Sequence, residues 1–172
     1  MDIGESLVGA YLRQVRGCHT VSFNTYLPQG QGEVDVIGVA NSSDGVDVWI
    51  AEVAVHLEGL NYGGYAASVK KVAAKVAAAR AYAAQVYRDA TPTVEFWSPV
   101  VPSGLVAQLA DVDVVLVVND DFTDRVNEIV DLAKRHTKMT GDDTYRLLQL
   151  LTHLRGARPQ FSTPATASHD RI

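Results

Sequence analysis

Three features are scarce in this sequence: cysteine, long apolar runs and excess positive charge. Cys18 is the only cysteine among 172 residues, so the chain can form neither an internal disulfide nor a zinc site built from several thiolates. The first residues include acids instead of the apolar core of a signal peptide, and no stretch approaches the ~20 apolar residues of a membrane helix. We therefore expect a soluble, cytoplasmic protein that does not enter a membrane, with Cys18 as a small core residue.

Basic residues do not outnumber acidic ones. Fifteen Lys and Arg face 20 Asp and Glu, which gives a formal net charge of −5. This balance excludes proteins that coat nucleic acid through an overall positive field. A chain of this charge would meet DNA only through one small basic face, alone or as a homodimer. Its 47% hydrophobic content is typical of a globular domain with a core of its own.

Hydrophobic periodicity predicts an α/β fold in which one mixed β-sheet is flanked by helices. The strand at 111–120 is almost wholly apolar, as in strands that are buried on both faces. We predict a single domain over residues 1–156 and a disordered C-terminal tail over 157–172, which is rich in Pro, Ser, Thr and Ala. The predicted element order is α-β-β-β-α-β-α-β-α-α, at 4–15, 19–27, 33–40, 46–57, 65–89, 93–101, 103–110, 111–120, 122–137 and 143–155.

Two acids interrupt otherwise apolar strands. Asp35 lies inside VDVIGV and Glu52 inside VWIAEVAV. A buried carboxylate is costly unless it is paired. Because side chains alternate along a strand, Glu33 shares a face with Asp35, while Ala54 and His56 share one with Glu52. If the two strands pair as a hairpin, the two acids meet across the ladder, and a cation such as Mg²⁺ would relieve their repulsion. Alternatively, both acids lie on an exposed sheet face and are simply solvated.

This arrangement of acids resembles the PD-(D/E)XK, or restriction-endonuclease-like, nuclease superfamily, and most closely its small Holliday-junction-resolvase-like branch. In that branch a Gly-Glu pair opens the first helix, a Gly-Glu-x-Asp motif lies on the second strand and a Glu-x-Lys motif lies on the third. The matching residues here are Gly4 and Glu5, then GEVD at 32–35, and Glu52 in AEVAVH. The resemblance covers roughly residues 1–118.

The resemblance implies a restriction-endonuclease-like fold and a metal-dependent nuclease that hydrolyses phosphodiester bonds in DNA. Such nucleases hold one or two Mg²⁺ or Mn²⁺ ions between the Asp and the Glu, activate a water and cleave by in-line attack. Carried over to this sequence, Asp35, Glu52 and the Val53 carbonyl would bind the metal. Glu5 would be an outer ligand or hold a water, although an acid in this place also complements the dipole of the first helix.

The sequence departs from the superfamily at Ala54, which stands where the motif has Lys. His56 is one replacement, since it could donate to a phosphate or shuttle a proton. Lys70, Lys71 or Lys75 of the following helix could also reach the site, and migration of the lysine to a neighbouring element is known in this superfamily. Lys71 and Lys75 are four residues apart and share one side of the helix, which favours them for phosphate contact, with Lys71 as a catalytic candidate. Alternatively, all three lysines lie on a solvated side of the helix and have no role in the site.

The sequence thus favours a metal-dependent endonuclease and leaves one alternative from another class. Ala54 favours a catalytically inactive nuclease-fold protein that binds nucleic acid, or regulates a protein partner. Glu5, Glu33, Asp35 and Glu52 favour the enzyme, because a decayed site has no physical reason to keep several acids together.

Overall fold

A computed structural model of the chain describes residues 2–27, 32–43 and 45–153. The predicted element order is confirmed. The predicted tail at 157–172 lies outside the described residues. The helices are α1 (Ile3–Gln14), α2 (Tyr65–Val86), α3 (Ser103–Leu109), α4 (Asp120–Arg135) and α5 (Asp143–Thr152). The strands are β1 (Thr20–Tyr26), β2 (Glu33–Ser42), β3 (Gly45–Val53), β4 (Thr93–Ser98) and β5 (Val115–Val118).

The five strands form one mixed sheet in the order β1-β2-β3-β4-β5. Strand β2 is antiparallel to both β1 and β3, whereas β3, β4 and β5 run parallel to one another. Parallel neighbours need a crossover, which α2 supplies between β3 and β4 and α3 supplies between β4 and β5. The prediction of an α/β fold with a mixed sheet flanked by helices is therefore confirmed.

Helices cover both faces of this sheet. Helices α1, α4 and α5 bury one face in a core that contains Tyr11, Trp97 and Phe122. Helices α2 and α3 bury the other face, where Ile37 and Ile50 of the sheet belong to the core. None of the described helices is both long enough and apolar enough to cross a membrane.

Four strands, β1, β3, β4 and β5, are shorter than predicted, and β3 and β5 differ in ways that bear on the earlier expectations. Strand β3 ends at Val53 rather than at position 57, because a turn at 56–59 bends the chain away and Leu60 N–H then donates to the Val100 carbonyl at 2.9 Å. His56 therefore lies outside β3. The prediction that it shares a strand face with Glu52 is wrong. Strand β5 covers only Val115–Val118, and Val115 is half exposed because β5 is the edge of the sheet, so the prediction of a strand buried on both faces is wrong there.

Gly4 lets α1 approach the end of β3. A methyl group added at Gly4 would collide with Cγ2 of Val55 and lie 3.1 Å from Cγ1 of Val53. We expect Gly4→Ala to lower the free energy of unfolding by about 1–3 kcal/mol through overpacking, although alanine favours helices by roughly 0.5–1 kcal/mol over glycine. Adding Val55→Ala to the same chain should recover part of the loss, as measured by urea unfolding in a double-mutant cycle. A Gly4→Ala variant more stable than the wild type would contradict this packing.

Candidate functional site

Asp35 and Glu52 are buried side by side under α2. Asp35 is 5% exposed and Glu52 is 1% exposed. The β2–β3 ladder ends at the pair Val36 with Ala51, and the acids occupy the next step, since Asp35 precedes Val36 and Glu52 follows Ala51. Alternation places them on the same face as Ile37 and Ile50, which belong to the α2 core. The two acids therefore meet as predicted, and the alternative of a solvated sheet face is wrong.

Lys75 of α2 joins the two carboxylates. Its Nζ lies 2.7 Å from Glu52 Oε2, and 3.0 and 3.3 Å from Asp35 Oδ2 and Oδ1. The helix brings Lys75 over the strands because the residues beside it in the helical repeat, Val72 and Val76, are buried against the sheet. Val53 N–H also donates to Asp35 Oδ2 at 2.7 Å. One ammonium group and one backbone amide thus offset the desolvation of the acids.

The pKa values of Glu52 and Lys75 are both raised. Burial, and then the negative charge of Asp35, raise the pKa of Glu52 from 4.5 to about 8 even though Lys75 lowers it. Burial lowers the pKa of Lys75, but the ion pairs with Glu52 and Asp35 outweigh burial and raise it overall. Lys75 therefore stays a cation. Glu52 therefore binds a proton more readily than an exposed glutamate does, next to a lysine that keeps its positive charge.

The two acids suit a hard divalent cation. Mg²⁺ is usually held by one or two carboxylates together with waters and substrate phosphate oxygens, and Mn²⁺ accepts the same oxygen ligands. Within the described ranges, no group of three or more His, Cys, Asp and Glu side chains could hold a metal. Further ligands would have to come from water, from substrate or from the backbone, where the Val53 carbonyl stays our predicted third ligand. Lys75 contacts the same carboxylate oxygens, so a metal would compete with it for them.

Glu5 is placed as a helix-capping residue. Asp2 and Glu5 form a capping box at the start of α1, in which Glu5 Oε2 accepts from Asp2 N–H at 2.9 Å. The same oxygen accepts from Asn24 Nδ2 of β1 at 3.2 Å. These contacts match the alternative explanation by the helix terminus. The role of Glu5 as an outer ligand stays a prediction.

The lysine that contacts the acids is Lys75, not the catalytic candidate Lys71. Lys71 Nζ lies 3.7 Å from the centroid of the Tyr62 ring. One helical turn, about 5.4 Å, separates the two lysines, which places Lys71 over the β3–α2 loop and Lys75 over the strands. Lys70 is exposed on α2. His56 is exposed as well, and its Nε2 lies 3.4 Å from the Tyr62 hydroxyl.

Two residues outside the motifs also belong to the surroundings of the site. Tyr62 lies within electrostatic reach of Lys75, Asp35 and Glu52, and burial raises its pKa. Asn24 has a left-handed backbone, with φ of 48°, in the middle of β1. It lies at the step of the β1–β2 ladder that Asp35 occupies, between the pairs Phe23–Val36 and Thr25–Val34. An asparagine among β-branched and aromatic neighbours was the available sequence signal.

Comparisons with known proteins leave the function open. No protein-family model matches this chain, and no curated protein and no solved structure matches it. Function has to follow from the chemistry of the site.

The raised pKa of Glu52 predicts a pH-dependent stability. Between pH 4.5 and about 8 the folded chain binds more protons than the unfolded chain, so the free energy of unfolding falls as pH rises through that window. We expect Glu52→Gln to flatten this fall, which has a slope of at most about 1.4 kcal/mol per pH unit for one proton. Urea unfolding at a series of pH values measures it, with exposed Glu58→Gln as the control. Equal slopes in wild type and Glu52→Gln would contradict the assignment.

Removal of the Lys75 charge should destabilise the fold. Breaking a buried ion pair costs about 3–5 kcal/mol, and the one-third exposure of the Lys75 side chain reduces our expectation for Lys75→Met to about 1–3 kcal/mol. Lys71→Met is the matched control, because that lysine lies on the same helix and contacts the Tyr62 ring. Chemical denaturation of both variants compares the two losses, and a loss no larger for Lys75→Met than for Lys71→Met would refute the pairing.

Proposed function

We propose that this protein is a metal-dependent nuclease that hydrolyses phosphodiester bonds in DNA, on a restriction-endonuclease-like fold in which Lys75 takes over from the lysine missing at position 54. The observation that carries the proposal is the contact of one ammonium group, from α2, with two buried acids on adjacent strands. This is the set of groups that the resemblance requires, two acids and one lysine, with the lysine on a neighbouring element.

The placement of the other motif residues supports the same assignment. Glu5 lies at the start of the first helix, Asp35 on the second strand and Glu52 on the third, which are the elements that the resemblance implies. Ala54 is 7% exposed and belongs to the core on the α2 side of the sheet. A small side chain at position 54 leaves room beside Glu52 for the ammonium group of Lys75, which comes from α2.

Each residue of the site has a distinct part in the proposed reaction. When bound, the metal would supply a water of lowered pKa and positive charge beside the phosphate. Asp35 and Glu52 would hold that ion, and Glu52 would lose its proton on doing so. Lys75 keeps its proton because its pKa is raised, so it serves as a cation and hydrogen-bond donor and not as a base. Once its carboxylate oxygens are engaged, Lys75 can donate to a phosphate oxygen on which negative charge develops.

Cleavage assays test the proposal directly. The wild type should cut at least one member of a panel of single-stranded, duplex and branched DNA and RNA with Mg²⁺ or Mn²⁺. Asp35→Asn should abolish cutting, and Lys75→Met should slow it by about 10²–10³-fold, the usual effect of losing one donor to a developing charge. Exposed Asp111→Asn and Lys134→Met are charge-matched controls that should keep wild-type rates. Cutting that survives Asp35→Asn would come from a contaminant or from another site.

Metal binding should release a proton. Because Glu52 must ionise, Mn²⁺ affinity should rise with pH up to about 8 and then level off. Calorimetric titration in buffers of different ionisation enthalpy measures the released proton. Glu52→Gln should bind Mn²⁺ more weakly and release none. Binding of Mn²⁺ by the wild type without proton release would contradict a protonated Glu52.

The alternative function is an inactive nuclease-fold protein that binds nucleic acid or a protein partner. Two observations support it. Ala54 stands where the motif has lysine, and Lys75 occupies oxygens of both carboxylates that a metal would need. A metal titration separates the two functions. If the protein is an active enzyme, the wild type binds Mn²⁺. If Lys75→Met binds Mn²⁺, the wild type does not, and no substrate is cut, then Lys75 blocks the metal site and the inactive function is supported. A homodimer stays a prediction that ultracentrifugation of the wild type tests.

A further inference from the structure

Tyr62 lies at the boundary between the carboxylate pair and the surface. It belongs to the loop between β3, which carries Glu52, and α2, which carries Lys75. Its side chain is half-buried. The charges of Lys75, Asp35 and Glu52 all act on its hydroxyl.

The backbone of Tyr62 is fixed from below. Tyr62 N–H donates to Oγ of Ser68 at 3.0 Å, and Ser68 Oγ donates to the Gly64 carbonyl at 2.9 Å. Ser68 is fully buried in the first turn of α2. Asn61 Oδ1 accepts from Gly63 N–H and Gly64 N–H at 3.0 and 2.8 Å, which closes the turn that follows Tyr62. The backbone position from which the Tyr62 ring projects is therefore set by these hydrogen bonds.

The Tyr62 side chain in turn holds two exposed groups. Lys71 Nζ lies 3.7 Å from the ring centroid, within the range of a cation–π interaction. The His56 ring meets the Tyr62 ring edge to face, with centroids 5.6 Å apart, and His56 Nε2 is 3.4 Å from the hydroxyl. The exposed side chains of Lys71 and His56 thus contact the same tyrosine, in the loop between the strand of Glu52 and the helix of Lys75.

We propose that Tyr62 is a positioning residue that holds Lys71 and His56 as a subsite for a phosphate neighbouring the one cleaved, so that a polynucleotide strand crosses from the Tyr62 rim to Asp35 and Glu52. The inference rests on the proposed nuclease function and gives that site its substrate-binding side. Lys71 supplies the charge that neutralises the phosphate. His56 supplies a further donor, and the Tyr62 ring keeps both at a fixed place, which reduces the entropy lost on binding.

The test compares Tyr62→Leu, Tyr62→Phe and Lys71→Met with the wild type and with Lys134→Met, a lysine exposed on α4 across the sheet. Binding of a labelled single-stranded DNA oligonucleotide is followed by fluorescence anisotropy in Ca²⁺ at increasing KCl, and cleavage is followed with Mn²⁺. Tyr62→Leu and Lys71→Met should each weaken binding roughly five- to tenfold and reduce the slope of log affinity against log salt by roughly one. KM should rise by the same factor while kcat changes by less than about twofold.

Tyr62→Phe keeps the ring under Lys71 and removes only the hydroxyl beside His56. It should therefore retain the wild-type salt slope and rescue most of the affinity lost in Tyr62→Leu. Lys134→Met should behave as the wild type. Circular dichroism of each variant establishes that it is folded, and Tyr62→Phe keeps the test decisive if Tyr62→Leu is not.

The outcomes separate this inference from the proposed function. Wild-type affinity, salt slope and KM in folded Tyr62→Leu would overturn the positioning role, while cutting that depends on Asp35 would still support the nuclease. Salt-dependent binding that Tyr62→Leu weakens, with no cutting by the wild type, would remove the enzyme and leave a strand-binding subsite. A wild type that neither binds nor cuts any strand overturns both.

Discussion

The ion pairs between Lys75 and the two acids are the interaction on which the candidate site depends. Asp35 and Glu52 are each less than a tenth exposed, on adjacent strands under a helix, and such a pair is tolerated only with a cation or a proton between its members. The fold supplies both, through the lysine and through the raised pKa of Glu52. The groups that balance the acids are thus a lysine ammonium group and a proton, and a divalent ion bound to the same oxygens would have to displace both.

Glu95 is a buried acid that does not belong to the candidate site. Like Asp35 and Glu52 it interrupts an apolar strand, and it is only 2% exposed. Its Oε2 accepts from Trp97 Nε1 at 2.8 Å, and Arg16 lies 3.7 Å from its other oxygen. It faces the α1 and α4 layer, on the side of the sheet away from α2. An acid in an apolar strand is therefore not specific for a metal site, and what distinguishes the proposed site is its second acid, on the next strand and on the same face.

The element order, the mixed sheet and the meeting of Asp35 with Glu52 could be predicted because they depend on local periodicity and on the register of one hairpin. Which lysine reaches the acids could not, because Lys71 and Lys75 lie on the same side of α2 and only the position of the helix along the strands separates them. The position of His56 was misjudged for a related reason. Alternation extended β3 as far as the apolar pattern lasted, whereas a turn at 56–59 ends the strand earlier. No motif marked Tyr62, because its contacts with His56 and Lys71 depend on how the loop between β3 and α2 is folded.

Helix α2 faces the sheet largely with small residues, among them Ser68, Ala79 and Ala83, which are all buried. Short side chains let the helix axis come close to the strands, and that separation fixes how far the Lys75 stem must extend to reach the acids. The small residues of this face therefore set how far the lysine must reach, although they belong to no sequence motif. A bulky residue on this face, one or two turns from Lys75, would move the ammonium group away from its partners and weaken the site without altering any residue within it.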